Sequence, residues 1–216
     1  MGTIVITEFV SLDGVIEDPG GVEGFRHGGW VFATNRGPGG EQFKLDETLT
    51  TEALLLGRVT YEQFVASWPS RSGEFADRFN ALPKYVVSST LDAPEWNATV
   101  LGGDLVADVS KLKRDLDGEI VVHGSIRLAR ALLEHDLVDE IRLMVYPVVL
   151  GAGERLFGSL SDRKPLRLVN ATTVGDGVVI LTYVPSPQEQ ADDGDRESLR
   201  RAAFSRAGIA ESAVTE

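Results

Sequence analysis

One stretch limits the folds open to this chain more than any other: Ala53-Leu54-Leu55-Leu56-Gly57-Arg58-Val59-Thr60-Tyr61-Glu62-Gln63-Phe64. Its first half is a short apolar run, the pattern of a strand buried on both faces. Helical spacing opens at once after it, with Val59 and Gln63 one turn apart and Tyr61, Phe64 and Val65 beside them. A strand that empties into a helix through Gly-Arg-x-Thr is a good place to hold phosphate. Gly57 lets the backbone approach a ligand, the new helix offers unpaired N–H groups, and Arg58 brings a guanidinium fork. A lone arginine at a helix start is more often a solvated charge, so the reading depends on what the rest of the chain adds.

The same alternation runs through most of the length. Thr3 to Val10 is strongly β-branched and predicts a central strand, ended by the turn Ser11-Leu12-Asp13-Gly14. Nine of the 23 glycines fall between Gly14 and Gly40, with Phe25, Trp30 and Phe32 among them, which predicts a long irregular loop packed over something. Leu45 and Leu49, one turn apart, place a helix over Glu41 to Thr51. Phe75 to Leu82 predicts a helix, Lys84 to Ser89 and Trp96 to Leu101 strands, Ser110 to Leu116 a helix, and Glu119 to Val122 a strand. A clear amphipathic helix follows, with Ile126, Ala129 and Leu133 on one face. Glu140 to Tyr146 alternates and predicts a half-buried strand. Leu166 to Thr172 and Val178 to Val184 flank Gly175-Asp176-Gly177, a hairpin signal. The tally predicts an α/β/α three-layer sandwich, mostly parallel, with an antiparallel C-terminal hairpin. It spans residues 1–185. Residues 186–216 carry seven acidic and four basic residues and are expected to form a polar appendage, with one amphipathic helix pattern at Leu199, Ala203 and Phe204.

Composition removes several function classes. The net charge of −12 and the lack of a basic stripe argue against a nucleic-acid partner, though a few local arginines can still hold an anionic cofactor. Without cysteine there are no disulfides, thiolate chemistry or cysteine metal sites. His27, His123 and His135 lack the close spacing of a zinc site, so no metal is expected. No apolar run is long enough to span a bilayer and no basic leader precedes the first strand, so the expected compartment is the cytoplasm.

Three corners at strand ends share a character: Gly57-Arg58-Val59-Thr60, Ser88-Ser89-Thr90, and Gly124-Ser125 at the head of the clearest helix. In an open α/β sheet, ligands lie outside the carboxyl ends of the strands. Together the corners offer a cation, hydroxyls and two helix starts, a bed for a phosphorylated nucleotide. Gly151-Ala152-Gly153 is not a dinucleotide fingerprint, since no third glycine follows at the required offset, and there is no Gly-Lys-Ser/Thr phosphate loop.

At this point the motifs resemble a known family. Leu-Leu-Leu-Gly-Arg-Val-Thr-Tyr-Glu (54–62) and Lys-Tyr-Val-Val-Ser-Ser (84–89) look like dihydrofolate reductases. Ser-Leu-Asp-Gly (11–14), Val-His-Gly-Ser (122–125), Leu-Val-Asp-Glu (137–140) and Pro-Val-Val-Leu-Gly-Ala-Gly (147–153) are similar to the dihydrofolate reductase-like reductase domain of the riboflavin-biosynthesis deaminase-reductase. The resemblance covers residues 3 to 184. It implies an NADPH-dependent reductase acting on a small planar heterocycle, aminopyrimidine- or pterin-like, related to 5-amino-6-(5-phosphoribosylamino)uracil reductase.

Carried over position by position, the resemblance implies that Arg58, Thr60, Ser88 and Ser89, beside Gly57, hold cofactor phosphates, with Arg58 and Ser88 on the 2′-phosphate. It places the pyrophosphate at Gly124, Ser125, Ile126 and Leu128, and Gly14, Val15 and Ile16 along the nicotinamide. True dihydrofolate reductases have Gly-Gly where this chain has Gly124-Ser125, which makes folate a less expected substrate. An acidic side chain on the helix after the first loop grips the heterocycle in dihydrofolate reductases; Glu41, Asp46 and Glu47 are available here, and Glu41 and Asp46 are the expected catalytic carboxylates. Riboflavin-type relatives are commonly homodimers, and the apolar loop Pro147–Gly151 is the expected seam. A ligand-sequestering module with the same pocket and no catalysis is the alternative; it need not keep Arg58, Thr60 and Ser88 together.

Overall fold

The computed structural model describes residues 1–158 and 160–186. In chain order its elements are β1 (Thr3–Ser11), α1 (Gly37–Thr50), β2 (Thr51–Gly57), α2 (Arg58–Ser67), α3 (Glu74–Ala81), β3 (Lys84–Val87) and β4 (Ala98–Leu101). Then follow α4 (Leu105–Asp115), β5 (Glu119–His123), α5 (Ile126–Glu134), β6 (Glu140–Tyr146), β7 (Leu166–Val174) and β8 (Val178–Pro185). The strands form one sheet in the order β4-β3-β2-β5-β1-β6-β8-β7. Pairing is parallel from β4 through β6, and antiparallel where β8 meets β6 and β7. The fold is therefore the predicted α/β arrangement, a mostly parallel sheet with an antiparallel C-terminal hairpin. The expected appendage, with its helix pattern at Leu199, Ala203 and Phe204, lies outside the described residues except for Ser186.

Strand alternation divides the core into layers. On one face Ile4, Ile6, Leu55, Ile120 and Val122 pack with Val109 and Leu112 of α4 and Leu128, Leu132 and Leu133 of α5. On the other, Val5, Leu54, Leu56, Val86 and Val121 pack with Tyr61 of α2 and Phe79 of α3. A third cluster joins Met144, Tyr146, Val178 and Ile180 to Trp30, with Phe43 of α1 against it. The four residues Leu54, Leu55, Leu56 and Ala53 are fully buried, as the apolar run requires.

Three expectations need correction. The glycine-rich loop is not irregular throughout: Trp30–Ala33 forms a 3-10 turn, and α1 begins at Gly37, four residues before the predicted start. Pro38 explains the early start, because its fixed φ suits the first helical turn. The buried side of α1 is largely polar, although the apolar pair Leu45 and Leu49 is what marks the helix in the sequence. Leu49 is 46 % exposed, whereas Lys44, Glu47 and Thr48 are buried. Finally, β6 is covered on both faces rather than half-buried, because Ile141 and Leu143 pack into the first cluster on one face and Met144 and Tyr146 into the third on the other.

The hairpin tip reaches back to the start of α1. Asp176 N–H donates to the Asn35 carbonyl at 2.8 Å, and Gly175 has φ +50°. A Cβ at Gly175 would lie 2.1 Å from that carbonyl oxygen and 2.4 Å from the Arg36 carbonyl carbon. Gly175→Ala is thus expected to cost about 3 kcal/mol or more from strain and backbone clash together. A urea midpoint equal to that of the unsubstituted chain would refute this docking of the hairpin.

Candidate functional site

The site lies where the sheet changes direction. β1 sits between β5 and β6; β5 ends at His123 opposite Thr7, while β1 continues beside β6 to Ser11. The chain builds outward on one side of β1 and then returns to the other, so a crevice opens at the carboxyl ends of β1 and β5. The resulting cleft has a volume of about 1980 Å³. That is about twice the ~1,000 Å³ upper range for drug-sized ligand sites, room for a dinucleotide and a second molecule.

Two of the predicted corners are tied directly to each other. Gly57 N–H donates to Ser125 Oγ at 3.0 Å, and Ser125 N–H donates to Thr60 Oγ1 at 3.0 Å. Gly124 (φ 56°) and Ser125 (φ 56°, ψ 48°) are both left-handed, which turns the chain sharply from β5 into α5. Among the described residues no side chain caps α5, and no acidic residue occupies its first turn, so its positive end is left open toward the cleft. Gly57 itself is extended (φ −79°, ψ 157°), and an added Cβ would meet Ser125 only at an ordinary 3.6 Å. Nothing inside the protein demands glycine there; the space beside it belongs to the cleft.

Arg58 starts α2 at the rim and forms an exposed pair with Glu62 at 2.8 Å. Ser88 is buried, and its hydroxyl accepts from the Thr90 and Leu91 amides at 3.1 Å each. It shapes the turn that leaves Ser89 and Thr90 exposed along the cleft. Arg127, in the first turn of α5, is a further exposed cation lining the cleft.

The other wall is built by α1 against β1. Lys44 is only 7 % exposed; its ammonium pairs with Glu47, donates to Thr7 Oγ1 at 3.1 Å, and sits 5.6 Å from the centre of the Phe9 ring. Glu47 is 3 % exposed. Burial pushes its pKa up, but the Lys44 charge, His123 and the hydrogen bonds from Lys44 and Thr7 together outweigh this and the net shift is downward, keeping a carboxylate. His123, in register with Thr7, is held down to about 3 by burial and by the Lys44 charge, so its imidazole is neutral at physiological pH. Glu8, one residue after Thr7, is 6 % exposed. Burial drives its pKa well above the usual range, against the opposing pull of the Gly124 amide and Lys44.

The Ser-Leu-Asp-Gly motif has a structural task beside this site. Asp13 accepts from Ser11 Oγ at 2.7 Å and from the Leu150 and Gly151 amides at 3.1 and 2.9 Å. The Ser11 hydroxyl and these amides lower its pKa to about 2 against some desolvation. The turn after β1 is thereby fastened to the loop after β6.

Of the residues expected from the sequence, Gly57, Arg58, Thr60, Ser88, Ser89, Gly124, Ser125, Ile126 and Leu128 all line the one cleft. Ile16 lines it too, whereas Val15 is fully buried outside the lining and Gly14 packs near the Arg155 side chain. Glu41 is at the cleft, paired with Arg36 through 2.8 and 2.7 Å bonds. Asp46 is exposed outside the lining, held by Gln42 at 2.7 Å. The sequence alone does not single out Glu8, Thr7 or Lys44, and it marks His123 only within Val-His-Gly-Ser and as a histidine without the spacing of a zinc site. The available signal was a glutamate inside a β-branched strand and a Lys-Glu-Thr set at helical spacing. Among the described residues no group of three His, Asp or Glu side chains is placed to hold a metal ion.

The tie between the corners can be weighed by substitution. Ser125→Ala keeps the left-handed strain and removes the acceptor for Gly57, and is expected to cost about 1–2 kcal/mol in denaturant titration. Ser125→Gly, which relieves roughly 1 kcal/mol of that strain, should cost less. An unaltered Ser125→Ala would show that the tie contributes nothing.

Comparison with known proteins agrees with this architecture. A family model, the RibD C-terminal domain, matches residues 2–180. The uncharacterised protein YyaP of Bacillus subtilis (strain 168) is 31% identical over 137 residues, which cover 61% of this chain and 73% of YyaP. A riboflavin-biosynthesis-type protein from Shewanella sp. PV-4 superposes with a TM-score of 0.68 at 21% identity, covering 85% of this chain and 99% of that one. Dihydrofolate reductase from Enterococcus faecalis, solved with NADP(H) and RAB-propyl, gives 0.53 at 14% identity, covering 85% and 96%. At those identities the two structures speak to fold alone, and the fold is of the reductase type. On the match over residues 2–180, the chain belongs to the RibD C-terminal domain family.

Proposed function

We propose that this protein is an NADPH-dependent reductase acting on a small planar nitrogen heterocycle, aminopyrimidine- or pterin-like. The observation that carries the reading is the tie between the Gly57-Arg58-Val59-Thr60 and Gly124-Ser125 corners, which turns two phosphate-suited helix starts toward one cleft. The donor set fits a dinucleotide phosphate: an open α5 start for the pyrophosphate, and Arg58 with the Ser88-Ser89-Thr90 turn for a 2′-phosphate. A module that only sequestered a ligand would not need this set, and the NADP(H)-bound dihydrofolate reductase shares the fold.

When bound, the cofactor supplies hydride. The protein's share is orientation, exclusion of water and charge. Ile16 gives an apolar wall on the nicotinamide side. Lys44, with Thr7 and Phe9, forms the wall against which a planar heterocycle stacks and hydrogen-bonds. Glu41 is the carboxylate that grips the substrate edge. Arg36 holds its pKa down, so it acts as an acceptor and must exchange part of its Arg36 pairing for the substrate. Asp46, outside the cleft, has no part in this reading.

Replacing Arg58 by Ala should remove charge-assisted bonds of about 1.5–3 kcal/mol and weaken NADPH by about tenfold or more, with little change for NADH. Fluorescence titration with both cofactors decides this: equal losses would take Arg58 off the 2′-phosphate. The reading also includes a homodimer. In the loop after β6, Val149 is 66 % exposed while Val148 and Leu150 pack on the Trp30–Tyr146 cluster. Light scattering should give twice the chain mass for the natural sequence and a monomer for Val149→Asp; a monomeric natural protein would rule the dimer out.

A further inference from the structure

Glu8 is the one acid on β1 that points into the cleft with a hydrogen-bonding position open. It is more than nine-tenths buried, it lines the cleft, and among the described residues its Oε1 has no hydrogen-bond partner. A buried oxygen left without a partner destabilises the site unless something fills the position.

Strand alternation says which part of the cleft it serves. Thr7 and Phe9 project to the α1 side, where Lys44 meets both. Glu8 follows the other row, Ile4, Ile6 and Val10, which packs with Ile16 and with Leu128 and Ala129 of α5. The Gly124 amide, at the turn into α5, is directed at its carboxyl. Glu8 therefore belongs with Ile16 and the α5 start, not with the Lys44 wall.

We propose that Glu8 is a cofactor-binding residue that pairs with the carboxamide of the nicotinamide. This rests on the NADPH reading above. A neutral carboxyl presents one O–H donor and one carbonyl acceptor in a plane, and a primary carboxamide presents the matching acceptor and donor. Burial favours that neutral form. The charged groups around it are Lys44 and Glu47 from α1 and Glu23 from the loop after β1; His123 of β5 is neutral, and the first turn of α5 holds no acid. Lys44 pulls toward the carboxylate, whereas the two glutamates and burial oppose it. The pairing would fix the ring's rotation about its glycosidic bond, and so choose which face of the nicotinamide looks toward the Lys44 wall.

Isothermal titration with NADPH and with reduced 3-acetylpyridine adenine dinucleotide phosphate, which lacks the amide N–H donors, tests this on the full chain. The natural protein should prefer NADPH by about tenfold. Glu8→Leu should weaken NADPH by about tenfold and the analogue by no more than about twofold, while Glu8→Gln, which still presents a donor and an acceptor, should retain NADPH. Raising pH should weaken NADPH for the natural protein as Glu8 ionises and leave Glu8→Gln unchanged; this comparison decides the matter if Glu8→Leu does not fold. NADPH bound equally by all variants, without pH dependence, would overturn the role of Glu8 and leave the reductase reading standing. A natural protein that binds no NADPH would remove both.

Discussion

An ammonium group buried between a helix and a sheet must be both neutralised and hydrogen-bonded, and the wall of the cleft depends on how Lys44 meets that demand. Withdrawing each such ion from water costs several kcal/mol, recovered only with good geometry on every side. Lys44 finds Glu47 one turn along α1 and Thr7 across on β1. Glu47 faces Arg142 at 3.6 Å, and Arg142 is shared in turn with Glu119 of β5 and Glu140 of β6 at 2.6 and 2.5 Å. This alternation of charge fixes α1 over β1, β5 and β6 in a way an oily contact would not. Apolar surfaces slide at little cost, whereas a displaced charge loses its partner.

That solution also explains where the sequence was readable and where it was not. The sheet and its flanking helices followed from Ala53–Leu56, Thr3–Val10 and the Ile126–Leu133 face, because apolar periodicity reports burial when burial is apolar. The cofactor-side corners followed as well, since glycine, hydroxyl and arginine at strand ends carry their chemistry in local order. The Lys44 wall did not. Its residues come from two elements far apart in the chain, α1 and β1, and Lys44, Glu47 and Thr7 are buried polar groups, which the apolar spacing of Leu45 and Leu49 does not report. β6 misled for the same reason: Arg142 looks solvent-facing until its three carboxylate neighbours are known.

An anionic cofactor sits uneasily with a chain of net charge −12 unless the field is local. At physiological salt, charges farther than about 8 Å through solvent are largely screened. What a phosphate would meet at the rim is Arg58, Arg127 and the open start of α5 rather than the protein's total charge. Within the cleft lining the cations Arg36, Lys44, Arg58, Arg71 and Arg127 outnumber the acids Glu8, Glu23 and Glu41. Glu62, already paired with Arg58, is the nearest competitor, and its exposure keeps that pair weak.

The division of β1 into two rows reaches beyond binding. Because successive side chains on one strand face opposite walls, the proposed cofactor side and the proposed substrate side share a backbone but almost no side chains. Glu8, Ile16 and the α5 turn stand on one side; Thr7, Phe9 and the residues of α1 stand on the other. Change on the α1 wall that leaves Lys44 and Glu47 in place, and with them the charges felt by Glu8, can then accumulate without displacing the opposite row. A scaffold arranged this way is open to retargeting: on the proposed reading, a different acceptor can be fitted to one row while the row that meets the cofactor stays as it is.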